Sequence, residues 1–296
     1  APAAPAVDAP VSPWAASAGG AKHRLDRFGA FAAQQLSLDS TADSLRTVLA
    51  QRDPNAPDLR RNGFQSARDY PRMQAIDGAR KLFLQRDREN ASARMKGPRS
   101  LRYGDGALSA CFTALDRLLG DARARNQTVV LATYPYHARL LELMVNAGLW
   151  PRYEEWKALL TDRVAQHRQR GLRARLWDFG AYHRYAVEPI PEPGQRQPVP
   201  CWYWESGHFR SELGTRMVDR MLGDHAADGL FGVELTPEEL ARHLDEVRQS
   251  RRRFAADQAP VAAEMAAIAM EVVERIRSRY QMTGPKLTRD EMNERH

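Results

Sequence analysis

The stretch QTVVLATYP, residues 127–135, decides the fold. It contains a continuous apolar run from Val129 to Ala132 with β-branched members, bounded by polar residues and by Pro135. A short run of this kind is typical of a strand that is buried on both faces, as in a parallel sheet covered by helices. We therefore predict a buried strand at this position, and the neighbouring segments indicate what covers it.

Amphipathic segments flank this strand. Apolar residues at helical spacing predict helices in ALSACFTALDRLLGDARAR (107–125), HARLLELMVNAGLW (137–150) and YEEWKALLTDRVAQHRQRG (153–171). A second strand is predicted in RARLWDFG, residues 173–180. Helix, strand, helix, helix, strand is the order expected of an α/β fold with a parallel sheet. We predict a helix-rich α/β fold in which helices flank a small parallel sheet.

Changes in composition along the chain indicate four segments. We predict an Ala/Pro-rich linker over residues 1–22, an α/β domain over 23–256, a C-terminal helix over 257–281 and a polar tail over 282–296. The first tract lacks the charged beginning and the unbroken apolar centre of a signal peptide. A segment preceding Ala1 would hold a targeting sequence, a membrane anchor or another part of the fold, and the sequence leaves these three open.

Within the predicted domain, local patterns mark further elements. Helices are predicted over residues 24–38 and after Ser40, and an irregular Pro-rich segment is predicted over 52–75. A polar helix is expected over about 76–95. Later in the chain, side chains of the type that cap helices precede two amphipathic segments, and these are Ser211 and Thr236.

Charge bounds the choice of partners. The 44 basic and 37 acidic side chains give a net charge of +7, which is compatible with a polyanionic partner. However, 39 of these basic residues are Arg, and they are scattered among acidic residues. The densest runs, at 168–175 and 250–254, lack the interleaved aromatic residues of single-strand nucleic-acid sites. We predict no nucleic-acid partner, while a basic helical scaffold that binds an anionic polymer stays open as an alternative.

Composition also bounds the class of protein. With 296 residues, 43% of them hydrophobic and 27% charged, the chain can bury a substantial core. It contains no apolar stretch of the ~18 residues that a membrane-spanning helix requires. The two cysteines, Cys111 and Cys201, have no metal-ligand spacing. We predict neither a metal nor an organic cofactor, and nothing in the sequence indicates the oligomeric state.

Side chains suited to substrate binding follow both predicted strands. Tyr134 and His137 come after the first strand, and Asp178 ends the second. Because open α/β sheets bind ligands at the carboxyl ends of their strands, we predict that these three residues contact the substrate. Two alternatives stay open. His137 can simply start the next helix and bond a backbone group, and Asp178 can be a turn or cap residue.

The segment WYWESGHFRSELG, residues 202–214, carries the candidate catalytic pair. Glu205 and His208 are three residues apart at the entry to a predicted helix, so the carboxylate can orient the imidazole as in the base half of a Ser, His, acid triad. Trp204 and the neighbouring aromatic residues would limit water access and bind a sugar or acyl group. An E-x-x-H pair also occurs in di-iron helix bundles, but this sequence holds no second pair.

The block WYWESGHFRSELGTRMVDRML resembles the C-terminal block of the SGNH/GDSL hydrolase superfamily, in which D-x-x-H precedes a short run to Gly and then a helix. VVLATYPYHARLLELM resembles the late buried strand of that superfamily, and it is more similar to envelope-associated SGNH-like proteins related to alginate-type O-acetyltransferases. The resemblance covers about residues 30–255 and is specific only over 129–150 and 202–232. It implies that His208 is the catalytic base and that Glu205 replaces the triad Asp.

The resemblance further implies a serine esterase or O-acyltransferase that acts on an acylated carbohydrate of the cell envelope, located in the periplasm or envelope, with a cytoplasmic location left open. The nucleophilic Ser of the superfamily has no match in residues 1–100. Ser109 in YGDGALSACF lies within a helical stripe, and we interpret it as a cap. We expect the first strand and its nucleophile turn to precede Ala1. The alternative is a non-catalytic carbohydrate-binding or envelope-assembly protein with a degenerate SGNH-like fold.

Overall fold

The computed structural model describes residues 69–96, 100–223 and 228–281, together with residues 42, 44, 45, 48 and 49. The chain forms two compact units, Ala1–Arg72 and Met73–His296. In the first unit, the described residues after Ser40 are helical as predicted, and Leu45, Val48 and Leu49 are exposed. The predicted linker, the helix predicted over 24–38 and the predicted polar tail lie outside the described residues.

The secondary structure alternates helices with short strands. The helices are α1 (Asp69–Asp77), α2 (Ala79–Lys96), α3 (Ala110–Ala124), α4 (Ala138–Asn146), α5 (Trp150–Gln169), α6 (Ser211–Leu222), α7 (Pro237–Asp257) and α8 (Ala259–Gln281). The strands are β1 (Thr128–Ala132), β2 (Arg173–Asp178), β3 (Tyr203–Glu205), β4 (His208–Phe209) and β5 (Val233–Glu234). Among these described helices, none has both the length and the apolar character needed to cross a membrane.

Helix α1 begins inside the segment that was predicted to be irregular. Residues 69–75 are helical although Pro71 lies among them. Proline is tolerated in the first turn, where the backbone N–H has no acceptor within the helix, and the Asp69 carboxylate is favourable at the same end. Residues 52–68 lie outside the described part of the chain. The polar helix predicted over 76–95 is α2.

The central sheet has the strand order β1-β2-β5. Strands β1 and β2 are parallel, with Thr128 opposite Arg173 and Ala132 opposite Trp177. Strand β5 is antiparallel to the end of β2. The prediction of a helix-rich α/β fold with a small sheet is confirmed, but the sheet is mixed rather than wholly parallel. Strand β5 could not be predicted because two residues carry no periodicity.

Strand β1 has the predicted position but not the predicted burial. It lies at the edge of the described sheet, paired only with β2, and the alternate residues that point to one of its faces are exposed. Val130 is 37% exposed, whereas Val129 and Leu131 are half-buried against a hydrophobic cluster that includes Leu119 of α3. The more buried strand is β2, in which Ala174, Leu176, Trp177 and Asp178 are buried and Arg173 and Arg175 are exposed. An apolar run therefore identified the strand but not its place in the sheet.

Side chains on the two faces of β2 pack into different hydrophobic clusters. Leu176 packs with the cluster of α3 and α5, and the next residue, Trp177, packs with Phe83 and Tyr203 on the other side. This follows from the alternation of side chains along a strand. A further cluster around Met265 joins α2, α4 and α8. Each buried side chain of this size contributes about 1.5–3 kcal/mol through removal of apolar surface from water.

One of the two predicted caps is confirmed. The Thr236 hydroxyl accepts a hydrogen bond from the backbone N–H of Glu239 at 3.4 Å, at the start of α7. Ser211 is instead the first residue of α6, and Arg210 occupies the N-cap position. At the other end of helices, Gly171 follows α5 with φ +92°, a left-handed conformation that glycine adopts without strain.

A buried carboxylate joins the sheet to two helices. One carboxylate oxygen of Asp178, Oδ2, lies 2.6 Å from Lys157 Nζ of α5 and 2.6 Å from His243 Nε2 of α7. The Thr133 hydroxyl, just after β1, donates to Oδ1 at 2.5 Å. All four side chains are buried, and we call them the Asp178 anchor. Burial alone would raise the pKa of Asp178, but the Lys157 ammonium and the His243 imidazole hold it well below its ordinary value.

The Asp178 anchor predicts a large loss of stability in Lys157→Met. This change removes the ammonium and leaves a buried carboxylate with less compensation, so the free energy of unfolding should fall by about 3–5 kcal/mol. In the control Lys81→Met, the lost ammonium belongs to an exposed pair with Asp77, and the expected loss is below about 1 kcal/mol. Urea unfolding of both variants measures the difference, and similar losses would contradict the anchor.

Candidate functional site

The candidate catalytic pair lies on a hairpin. Strands β3 and β4 are antiparallel, with Tyr203 opposite Phe209 and Glu205 opposite His208, and Ser206 and Gly207 form the connecting turn. The backbone N–H of Gly207 donates to Glu205 Oε2 at 2.8 Å. The pair was predicted at the entry to a helix. In the structure it precedes that helix, α6, and faces across a two-residue turn.

The buried Glu205 side chain contacts the exposed side chain of His208. The Glu205 carboxylate is fully buried, and its Oε1 is hydrogen-bonded to His208 Nδ1. The His208 side chain is 62% exposed. With Nδ1–H donated to a carboxylate, a neutral imidazole carries its basic lone pair on Nε2. The contact with Glu205 therefore favours the tautomer that carries its hydrogen on Nδ1. The expected acid and base are in contact, but the ring is open to solvent rather than enclosed.

Tyr134 joins this site from the end of β1. Its ring contacts that of Phe209, with 4.9 Å between centroids, and it is 38% exposed. Burial of its hydroxyl raises the pKa of Tyr134 to about 12, so the phenol stays protonated as a hydrogen-bond donor. The structure therefore places one predicted substrate-binding residue against the hairpin that carries Glu205 and His208.

Trp204 lies on the same hairpin, next to Glu205. The ring is half-buried, and the Arg210 guanidinium carbon lies 4.0 Å from its centroid. The sugar or acyl contact predicted for Trp204 would have to be made beside this guanidinium.

A buried ionic network supports the turn of the hairpin. The Ser206 hydroxyl donates to Asp87 Oδ1 of α2, and Arg139 Nε of α4 donates to Asp87 Oδ2 at 2.9 Å. Arg139 also donates to Glu264 Oε2 of α8 at 2.7 Å. Burial raises the pKa of Asp87, Arg139 opposes that rise, and the nearby Glu205 carboxylate adds to it. The network ties the turn between Glu205 and His208 to three helices.

Sequence reasoning did not identify this network. Asp87 lies in a polar helix without a motif, and Ser206 was considered only as part of the segment around Glu205. One signal was available, because Arg139 is a charged residue inside the apolar run of α4 and such a residue needs a buried partner. The sequence gives no indication that the partner is 52 residues away in α2.

His137 uses both ring nitrogens inside the protein. It occupies the N-cap of α4, where Nδ1 accepts from the backbone N–H of Arg139 at 3.2 Å, and Nε2 lies 2.9 Å from the carbonyl oxygen of Glu188. The ring packs edge-on against Phe83 and Tyr203. These contacts match the alternative in which His137 starts a helix. A substrate contact through this ring would require breaking one of its two hydrogen bonds.

Asp178 is also buried, and its carboxylate is hydrogen-bonded inside the protein. Its side chain is fully buried, both oxygens are bonded within the Asp178 anchor, and Oδ1 also accepts from the backbone N–H of Gly180 at 3.0 Å. This matches the alternative in which the residue terminates a strand and stabilises the following turn. Of the side chains predicted to bind substrate, only Tyr134 and Trp204 present part of their surface.

The described residues contain no group of three or more His, Cys, Asp or Glu side chains that could hold a metal ion. Two hydroxyls near the hairpin are engaged elsewhere: Ser206 bonds Asp87, and Thr133 bonds Asp178. Ser109 occupies the N-cap position of α3, but its side chain makes no capping hydrogen bond. The hairpin itself brings a carboxylate and an imidazole into contact, a pair that is able to accept and return a proton.

The network beneath the turn predicts a specific cost for Ser206→Ala. The variant removes a hydrogen bond to a buried, charged carboxylate, and we expect the free energy of unfolding to fall by about 1–3 kcal/mol. Ser211→Ala is the matched control, since Ser211 is exposed in the first turn of α6 and should change stability by less than about 0.5 kcal/mol. Urea unfolding tests both, and equal values would contradict the role of Ser206.

His137 predicts a pH dependence of stability. Burial lowers its pKa to about 3 in the folded protein, against an ordinary value of 6.5. As the pH falls below about 6.5, the unfolded chain gains a proton that the folded chain does not, so stability falls. His137→Asn retains a capping side chain but lacks this proton, and its slope between pH 6.5 and 4 should be shallower by up to ~1.4 kcal/mol per pH unit. Parallel urea-unfolding profiles would contradict this.

Comparison with known proteins identifies no relative of this chain. No family model matches the chain, no curated protein matches it, and no solved structure matches it. The resemblance of residues 129–150 and 202–232 to the SGNH/GDSL superfamily therefore stays a prediction. The functional conclusion depends on the hairpin and on the side chains that surround it.

Proposed function

We propose that Glu205 and His208 form the base half of an acyl-transfer site, and that the protein is an SGNH-like serine esterase or O-acyltransferase for an acylated carbohydrate of the cell envelope. The observation that carries the proposal is the contact between a fully buried carboxylate and the Nδ1 of a solvent-exposed imidazole. With Nδ1 bonded to the carboxylate, the basic lone pair of a neutral ring lies on Nε2, the nitrogen that acts as general base in a triad.

The chemistry begins with proton transfer. His208 Nε2 takes the proton of a serine hydroxyl as that oxygen attacks the ester carbonyl, and the ring returns the proton to the departing alcohol. An acyl-serine remains. Water, or a hydroxyl of a second sugar, then attacks the acyl carbon and gives its proton to the same nitrogen, and the imidazolium passes that proton to the serine oxygen as the acyl–oxygen bond breaks. Glu205 stabilises the imidazolium in both halves of the cycle.

The surroundings of the pair support a substrate of this class. The Tyr134 phenol is protonated and lies against Phe209, and it is near enough to the Glu205 carboxylate for that charge to help raise the pKa of Tyr134, so it can donate a hydrogen bond to a ligand at the hairpin. Aromatic and amide side chains commonly bind carbohydrate rings and acyl oxygens, and the Asn90 amide lies close to Gly207 in the turn. The nucleophile of the proposal is a hydroxyl other than those of Ser206 and Thr133, which are bonded to carboxylates.

Activity of the full-length protein tests the proposal. In His208→Ala the general base is lost, and kcat/KM for hydrolysis of p-nitrophenyl acetate should fall about 10²–10⁴-fold. Glu205→Gln keeps the size of the side chain but removes the charge that stabilises the imidazolium, so it should also lose activity. Ser211→Ala, on the exposed face of α6, is the matched control and should hydrolyse the ester as fast as the parent. Equal rates for His208→Ala and the parent would remove the catalytic role.

A non-catalytic carbohydrate-binding or envelope-assembly protein is the second candidate. It is favoured by the commitment of the Ser206 and Thr133 hydroxyls to structural hydrogen bonds. A fluorophosphonate probe separates the two candidates because it labels an activated serine covalently. Labelling that disappears in His208→Ala supports the enzyme. Retained binding to an envelope glycan without any labelling supports the binding protein.

A further inference from the structure

Three arginines line a second pocket, separate from the hairpin. Arg184 follows β2 in the chain, and Arg216 and Arg220 are four residues apart on α6, so they share one face of that helix. The pocket has a volume of about 240 Å³ and none of its lining residues belongs to β3 or β4. We call it the arginine pocket. Guanidinium groups that converge on one small cavity form a site for an anion.

Arg216 is the arginine of the pocket whose positive charge we expect to contact a bound anion. Its guanidinium carbon lies 5.0 Å from the centroid of the Trp202 ring and 5.5 Å from that of Tyr185. Within the described part of the chain, no carboxylate lies within ion-pair distance of Arg216. Packing over two aromatic rings restricts the side chain and leaves the N–H groups at the edge of the guanidinium as donors. Among the described residues, this cation is therefore held by aromatic rings and not by a carboxylate.

The other two arginines are also fixed in position. Arg220 Nε donates to the carbonyl oxygen of Gly232 at 2.9 Å, and its guanidinium lies over Trp177. Arg184 pairs with Asp228 at 2.9 Å and lies over the Tyr185 ring. Because these side chains are already ordered, a ligand would not need to order them, and this lowers the entropic cost of binding.

We infer that the arginine pocket binds the phosphate group of a small phosphomonoester. A carboxylate has two oxygens in one plane and is satisfied by a single arginine, whereas a tetrahedral phosphate accepts from several directions and carries more charge. Three arginines on two chain segments suit the phosphate better. The volume of about 240 Å³ is below the ~300–1,000 Å³ typical of drug-sized ligands, so the pocket suits a ligand with one small ring.

Acidic residues at the rim add a second requirement. Asp219 and Asp228 also line the pocket, so the five charged side chains carry a net charge of +1. Their carboxylates accept hydrogen bonds but repel further negative charge. The ligand should therefore offer hydroxyl donors beside its single phosphate, as a sugar phosphate does. This assignment does not depend on the proposed acyl-transfer site.

Isothermal titration with glucose 6-phosphate tests the inference. The full-length protein should bind this probe with a Kd below about 1 mM, and glucose and glucuronate should bind at least about tenfold more weakly. Arg216→Ala should weaken binding of the phosphate about tenfold or more, and Arg216→Lys should recover only part of the loss because it lacks the planar fork. Arg117→Ala removes an exposed arginine of α3 outside the pocket and should bind like the parent.

Several outcomes would overturn the inference. They are the absence of binding to the parent at that concentration, glucuronate binding as tightly as the phosphate, and unchanged binding in Arg216→Ala. Circular dichroism verifies that the variant is folded, which is expected because Arg216 is exposed on a helix and alanine favours the helical conformation. Ester hydrolysis should be unaffected by Arg216→Ala, so failure of this inference is distinguishable from failure of the acyl-transfer proposal.

Discussion

The ion pair between Lys157 and Asp178 fixes the edge of the sheet on which the rest of the structure is built. A buried carboxylate without a partner is very unfavourable, so the position of Asp178 at the end of β2 requires α5 to bring an ammonium and α7 to bring an imidazole. The Thr133 hydroxyl adds the end of β1 to the same group. These contacts fix the positions of α5 and α7 relative to the sheet.

A second buried carboxylate, Asp87, does for the hairpin what Asp178 does for the sheet. It joins the turn at Ser206 to α2, and through Arg139 to α4 and α8. The Glu205 carboxylate is close enough to raise the pKa of Asp87, so two acids share one region and Arg139 offsets their repulsion. The exposed imidazole of His208 is therefore oriented by groups that lie in the interior.

Burial separates the predicted site residues into those bonded inside the protein and those with exposed surface. His137 and Asp178 lie at the carboxyl ends of the parallel strands, where α/β proteins bind ligands, but both are covered and have internal partners. Tyr134, Trp204 and His208 are the predicted site residues that keep part of their surface exposed. The site we propose is thus displaced from the strand ends to the hairpin that packs beside them.

The sequence by itself determined the local elements and the pairing of Glu205 with His208, because both depend on residues close in the chain. Apolar periodicity located β1, β2 and the flanking helices, and a spacing of three residues is short enough to bring an acid to an imidazole through a single turn. Only the tertiary structure decided that β1 is an edge strand and that His137 is buried. It alone joined Asp87 to Ser206 over 119 residues and Asp178 to His243 over 65 residues. Contacts of that range depend on how helices pack around the sheet, and no local pattern of residues records it.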